Sequence, residues 1–300
     1  MRGKENHERG WHEYNEELVV RGKFYLNFDF VDNWKRDLER MNEGKVGRPF
    51  KFPDGFVKWQ AVWHQWIDYR GLEGIARRFK EKNIIPQFDD YTTIWYRVSK
   101  FAPEIKLPTG KELEIGTDGT GMRMANGGVY REFKYGKKKG RKKYVVVTIT
   151  ADVKRKKLLD FDVHIEGEGD SEPKSAIKHM KKLRKAGNKI KKFHGDGKFD
   201  TNDMFDNLGD AKSAIRIRKN AKLRHTKSER RKREIRKYRK LGYKRWAKKT
   251  KYGNRWPATE GIFSAVKRKF GENLVSKKKE SLINEAAQRF WVYHALQSLS

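Results

Sequence analysis

The run Tyr144-Val-Val-Val-Thr-Ile-Thr150, inside a stretch from Lys143 to Asp152, is apolar on both faces of an extended chain. A strand of β-branched residues with no polar side belongs at the centre of a sheet, covered from both directions. The segments around it supply the rest of that sheet. Leu113 to Asp118 alternates apolar and polar residues and reads as a first strand, and Lys157 to Glu166 follows the central run after a short turn as a third. A helix starts at Pro173, carries Ile177, Met180 and Leu183, and is closed by Gly187. Lys189 to Asp196 is then a fourth strand, and a short helical stretch, Thr201 to Leu208, precedes a fifth over Lys212 to Arg218. Three strands, helix, strand, helix, strand describe an antiparallel meander followed by a crossover, hence an α/β class with a mixed five-stranded sheet and flanking helices. A right-handed crossover lays the fourth strand parallel to the first.

The chain ahead of this block divides in two. Residues 1–48 form a polar N-terminal segment with one aromatic cluster, Phe24 to Phe30, and end in Gly44-Lys45-Val46-Gly47-Arg48-Pro49, a linker by its Gly and Pro content. A Gly-Arg-Pro triplet can also lie in the minor groove of A·T-rich DNA. Residues 49–104 form a small all-α domain. Phe56, Trp59, Trp63, Trp66 and Ile67 share one helical face, Gly71 breaks that helix, and Leu72, Ile75, Ala76 and Phe79 make a second face. Tyr91 to Phe101 is a third helix, with Ile94, Trp95, Val98 and Phe101 inward and Thr92, Thr93, Tyr96, Arg97 and Lys100 outward. This is a helix-turn-helix-like pattern, with Arg97 and Lys100 as candidate DNA contacts. The competing reading is an ordinary three-helix cap. Pro103 and Pro108 mark the boundary to the main domain, residues 105–300.

Charge narrows the function. The 300 residues carry 72 Lys and Arg against 39 Asp and Glu, a net charge of +33. A polyanion neutralises such a chain, and nucleic acid is the commonest one. Apolar residues at 36% suffice for a real core, which excludes a wholly disordered basic protein. Residues 222–251, a basic insertion, hold 16 of the cations and only Glu229 and Glu234 as acids. Tyr238, Leu241, Tyr243 and Trp246 interleave them, so the run is expected to gain order on DNA, with Arg236, Arg239, Lys244 and Arg245 as contacts. The absence of cysteine excludes disulfides, thiolate zinc sites and a Cys nucleophile. No Walker pattern is present, so an ATPase gains no support. No apolar run reaches a membrane span, and the charged stretch from Met1 to Tyr14 lacks a signal-peptide core. The expected location is cytoplasmic, associated with the nucleoid, without a membrane partner.

Three carboxylates stand out against this basic background. Asp118 in Gly116-Thr-Asp-Gly-Thr120 and Asp196 in His194-Gly-Asp-Gly197 each end a strand-like run. The parallel crossover brings them side by side at the carboxyl ends of their strands, where ligands collect in α/β sheets. Glu260 opens a helix that Pro257 starts and Gly271 stops, and Ser264 and Lys267 lie along its flank. Gathered carboxylates in a cationic protein can hold divalent metal against a phosphate backbone. Rival acids have plainer roles: Asp200 as the cap of the next helix, Asp152 in a turn, and Asp160 and Asp162 on one face of a strand, facing solvent.

The constellation resembles the DDE transposases of bacterial and archaeal insertion sequences, within the RNase-H-like, integrase-type superfamily. The likeness spans roughly residues 113–298. Its sharpest part is the signature Tyr-x2-Arg-x3-Glu-x6-Lys, matched in type by Tyr252, Arg255, Glu260 and Lys267 with one extra residue between Arg255 and Glu260. The resemblance implies an RNase-H-like catalytic domain and two divalent ions, Mg²⁺ or Mn²⁺. Asp118 would bridge them, Asp196 would hold one and Glu260 the other, while Arg255 and Lys267 would hold phosphates. It also implies hydrolysis at transposon ends, strand transfer of the 3′ hydroxyl into target DNA, and a homodimer on paired terminal inverted repeats. Two alternatives are an RNase-H-like nuclease without strand transfer and a non-catalytic basic DNA- or RNA-binding protein.

Overall fold

The computed structural model describes residues 10–125 and 144–298; the charged stretch as far as residue 9 and Lys143 lie outside them. The chain forms two compact units, Met1–Ala102 together with Ala295–Ser300, and Pro103–His294.

The first unit holds helices α1 (Trp11–Tyr25), α2 (Asp29–Asp32), α3 (Trp34–Asn42), α4 (Asp54–Trp63), α5 (Tyr69–Glu81) and α6 (Tyr91–Lys100). Residues 11–42, expected to be a polar segment ahead of a linker, are thus largely helical. Phe30 and Trp34 are the cause: both are buried against Phe56, with ring centroids 5.1 and 5.3 Å away. These two bulky rings dock the segment, with Val31 and Leu38 packed against the same cluster. Helix α4 stops at Trp63 rather than running to Ile67, and Asp68 caps α5 by accepting from the Gly71 amide at 2.7 Å. Gly71 therefore lies inside α5 and does not end a helix. A Cβ at Gly71 would stand 2.6 Å from Ile67 Cγ2, so the tight corner, not a break, calls for glycine. In α6, Ile94 and Val98 point into the core beside Val57, Ala61 and Leu72, whereas Trp95, expected inward, is partly exposed.

The second unit is a mixed sheet flanked by helices. Its strands are β1 (Glu112–Met124), β2 (Tyr144–Asp152), β3 (Lys157–Ile165), β4 (Lys189–Gly195), β5 (Lys212–Ile215) and β6 (Asn273–Leu274). The order is β3-β2-β1-β4-β5, with β6 beside the far end of β1. The first three strands pair antiparallel, and β4 and β5 run parallel to β1. This is the RNase-H-like meander and crossover, with six strands where five were expected. Helix α7 (Glu172–Lys185) is the crossover and buries Ala176, Met180 and Leu183 with Leu113 and Ile115. A short helix α8 (Asn202–Asp206) follows β4, and Thr201, not Asp200, caps it.

Three further helices follow: α9 (Glu229–Thr250), α10 (Trp256–Phe270) and α11 (Lys279–Ser298), the last of which belongs to this unit as far as His294. The basic insertion is mostly α9. Ile235 enters the sheet's core cluster, and Trp246 is buried with its ring 5.0 Å from Tyr238 and 5.1 Å from Tyr252. Arg231 reaches the buried Asp200 at 2.7 Å. These anchors hold the run as helix despite its charge. Asp160 and Asp162 also depart from expectation. Asp160 is buried, and both carboxylates flank the buried His179 of α7, at 3.8 and 3.6 Å from its Nε2. Thr150 links His179 to Thr117 through contacts of 2.8 Å each, a polar seam across three elements.

Within the helical unit, buried Asp89 accepts two hydrogen bonds from Gln60 Nε2, at 2.9 and 3.0 Å. Burial lifts its pKa from 3.8 to about 6, against the opposing pull of Gln60. An acid whose folded pKa exceeds its unfolded value binds more protons when folded, so stability falls as pH rises through that interval. Asp89→Asn should remove this slope and stabilise the unit by on the order of 2 kcal/mol at neutral pH. Urea midpoints check it: the gain should vanish near the ordinary carboxylate pKa, and a pH-independent gain would contradict the assignment.

Candidate active site

Strand β1 pairs with β2 from Ile115 to Arg123 but with β4 only over its first half. The parallel register runs from Glu112 opposite Lys189 to Gly116 opposite His194, and β4 ends at Gly195. Asp118 and Asp196 each stand two residues past that last pair. Contrary to the expectation from sequence, Asp118 does not end its strand. Residues 119–123 continue the ladder with β2, which carries β1 on to Met124. The acid therefore sits where β1 loses one neighbour and keeps the other, at the carboxyl end of the parallel pair.

The Asp118 side chain is mostly buried. Its Oδ1 accepts from the Gly119 amide at 2.9 Å, and its Oδ2 lies 3.1 Å from Arg255 Nη1. Burial pushes this carboxyl above the ordinary range, the Arg255 cation pulls it back, and the negative charge of Asp196 adds to the upward push. Asp196 caps the turn Gly197–Phe199, with Oδ1 accepting from the Lys198 amide at 2.8 Å.

The helical turn Tyr252–Arg255 precedes α10 directly. Tyr252 is buried beside Trp246, and the Arg255 guanidinium lies 4.9 Å from the Tyr252 ring centre. Arg255 is itself buried and engaged with Asp118, so it does not face solvent as a phosphate contact would. Lys267, further along α10, donates to the Gly121 carbonyl at 3.1 Å and stands 3.8 Å from Glu272. Glu260, on the first turns of α10, is exposed and has no ion-pair partner among the described residues. The structure pairs Asp118 with Arg255 and sets the charge of Asp196 against Asp118, and among the described residues no hydrogen bond or ion pair joins Glu260 to them. Among the described residues no three His, Asp or Glu side chains are gathered closely enough to hold a metal ion.

Two residues near the pair escaped the sequence. Glu172, at the start of α7, lies over Gly119: a Cβ there would come 2.7 Å from its carboxyl group. Its Oε1 accepts from Lys198 Nζ at 2.7 Å. Burial works to lower the Lys198 pKa, but Glu172, Asp196 and Asp118 outweigh it and hold the ammonium charged. Only the adjacency of Lys198 to Asp196 was visible beforehand; Glu172 meets the site through the tertiary crossover.

The expected DNA contacts divide. Arg97 is turned inward, 2.8 Å from Asp54 and within 3.3 Å of the Phe52 carbonyl, because the start of α4 offers it acceptors. Arg239 is exposed but tethered to the Ala221 carbonyl at 2.6 Å. Lys100, Arg236, Lys244 and Arg245 are exposed.

A family model for the transposase DDE domain matches residues 110–295, which spans both central acids, Arg255, Glu260 and Lys267. The chain belongs to this family. It is a DNA transposase. No curated protein matches it. Among solved structures, the cryo-EM structure of the piggyBac transposase synaptic complex with hairpin DNA is similar at 12% identity, over 94% of this chain and 75% of that one, with a TM-score of 0.34. A likeness of that size carries no argument.

Transposases of this family work with divalent metal ions. In this transposase the donor chemistry of Asp118 and Asp196 fits: both are hard oxygen donors, and their charges act on one another. Arg255 and Lys198 balance that charge in the structure as it stands. Arg255→Gln should therefore raise the Asp118 pKa further. Carbon-13 NMR titration of the Asp118 carboxyl reads this directly, and a fall or no change would reject the role given to Arg255.

Proposed function

We propose that this transposase cleaves phosphodiester bonds at the ends of its element and joins the freed 3′ hydroxyl to target DNA, with Asp118, Asp196 and Glu260 as its acidic residues. The observation that carries the reading is the placement of Asp118 and Asp196 just beyond the last parallel pair of β1 and β4. Asp118 and Asp196 would hold divalent metal, Mg²⁺ or Mn²⁺, and Glu260 would complete the set from α10. Bound there, such ions activate the attacking oxygen and stabilise the leaving one.

The chain's own residues do the remaining work. Arg255 holds Asp118 in one orientation through its 3.1 Å contact and limits the rise of its pKa. Burial of the Asp118 carboxyl keeps water from solvating it fully, which strengthens its hold on any cation. Lys267 stands on the same helix as Glu260, at a spacing of seven, and supplies positive charge where a phosphate would approach. The exposed Arg236, Lys244 and Arg245 supply backbone contacts from α9, and Lys100 supplies one from the helix-turn-helix-like unit. The DNA partners are the terminal inverted repeats and target DNA, and the working assembly is a homodimer on paired ends.

Single changes to Ala at Asp118, Asp196 or Glu260 should abolish cleavage of an end-bearing duplex and leave DNA affinity nearly unchanged. Gel assays of nicking and of joining by a pre-cut end separate the steps. Full cleavage by any of the three variants refutes that residue's role, and cleavage without joining by the parent protein reduces the reading to a nuclease.

A further inference from the structure

Away from the acidic pair, the sheet and α9 enclose a cleft of about 880 Å³. Its floor is a row across three strands in register: Glu114 on β1, Lys192 on β4 and Lys212 on β5. Its wall is one face of α9, with Arg230, Arg233 and Lys237 at helical spacing, and its end carries Lys249 and Lys251.

Several of these cations are already occupied. Lys192 stands 3.5 Å from Glu114, Lys237 stands 3.3 Å from Glu234, and Arg230 donates to the carbonyls of Gly209 and Ala211. Lys154, Lys212, Arg233, Lys249 and Lys251 also line the cleft, are exposed, and have no carboxylate partner among the described residues. Like charges crowded into a concave surface repel one another and focus a positive field. The spread of its charges over three strands and along α9 suits a run of phosphates better than one.

We propose that this cleft binds the phosphodiester backbone of duplex DNA, at phosphates other than the scissile one. Glu114 lies four residues before Asp118 on β1, about 13 Å at the usual rise of a strand. One phosphate cannot sit in both places. The cleft makes only backbone contacts, so its contribution is independent of base sequence and falls with salt. The proposal rests on the reading of the chain as a DNA-processing enzyme.

The test uses the full chain with exposed cations neutralised: Lys154→Gln, Lys212→Gln and Lys249→Gln, singly and together. Binding of a fluorescent random-sequence duplex is measured by anisotropy between about 50 and 200 mM salt. Each lost phosphate contact should flatten the slope of log affinity against log salt by about 0.9, equally for unrelated sequences. An unchanged slope in the triple variant overturns the proposal. So does saturable binding of tripolyphosphate that the triple variant alone loses while its duplex slope stays at the parent's value, because the cleft would then be a small-anion site. Metal-dependent nicking by the parent is scored separately: its absence counts against the catalytic reading and leaves the slopes to decide the cleft.

Discussion

The incomplete pairing of one strand governs this fold. β1 has β2 on one side from Ile115 to Arg123 and β4 on the other for only its first half. Where β4 leaves, its last residue turns into Asp196 while Asp118 is still held in the ladder with β2. A rigid carboxylate and a turn-borne carboxylate meet there because two neighbouring strands stop at different places. The crossover helix α7 fixes this offset by packing Met180 and Leu183 against Leu113 and Ile115. Loss of that packing would move β4 relative to β1, and the pair would separate before any charge was altered.

Much of the sheet was legible because its signals are local. The both-sided apolar run at 144–150 marked the central strand, and the order of strands and helices followed from alternation and from the Gly and Pro stops. Boundaries failed where pairing partners, not composition, decide them. Gly119-Thr120-Gly121 resembles a loop in isolation, yet it is strand because β2 offers it a complete ladder. The N-terminal helices were hidden for a related reason. Phe30 and Trp34 are sparse among charges, and their burial depends on Phe56, which is distant in sequence.

The site was legible in its acids and obscure in its cations. Carboxylates followed by glycine at strand ends are unusual enough to notice. Which arginine faces inward is a tertiary fact: Arg97 finds Asp54, Arg255 finds Asp118 and Arg231 finds Asp200. Each of these pairs removes a cation from the pool open to DNA. A count of Lys and Arg therefore overstates the surface a nucleic acid meets, and location within α9 matters more than number.

The long basic helix has a joint. Gly242 adopts φ 68° and ψ 164° inside α9, a conformation closed to side-chain-bearing residues, so the rod is two shorter rods meeting at an elbow. The bend returns Trp246 to Tyr238 and seats it against Tyr252, beside Arg255. The elbow therefore sets where the second arm places its indole. A single indole, returned by one glycine, thereby props the tyrosine that shelves the arginine of the acidic pair.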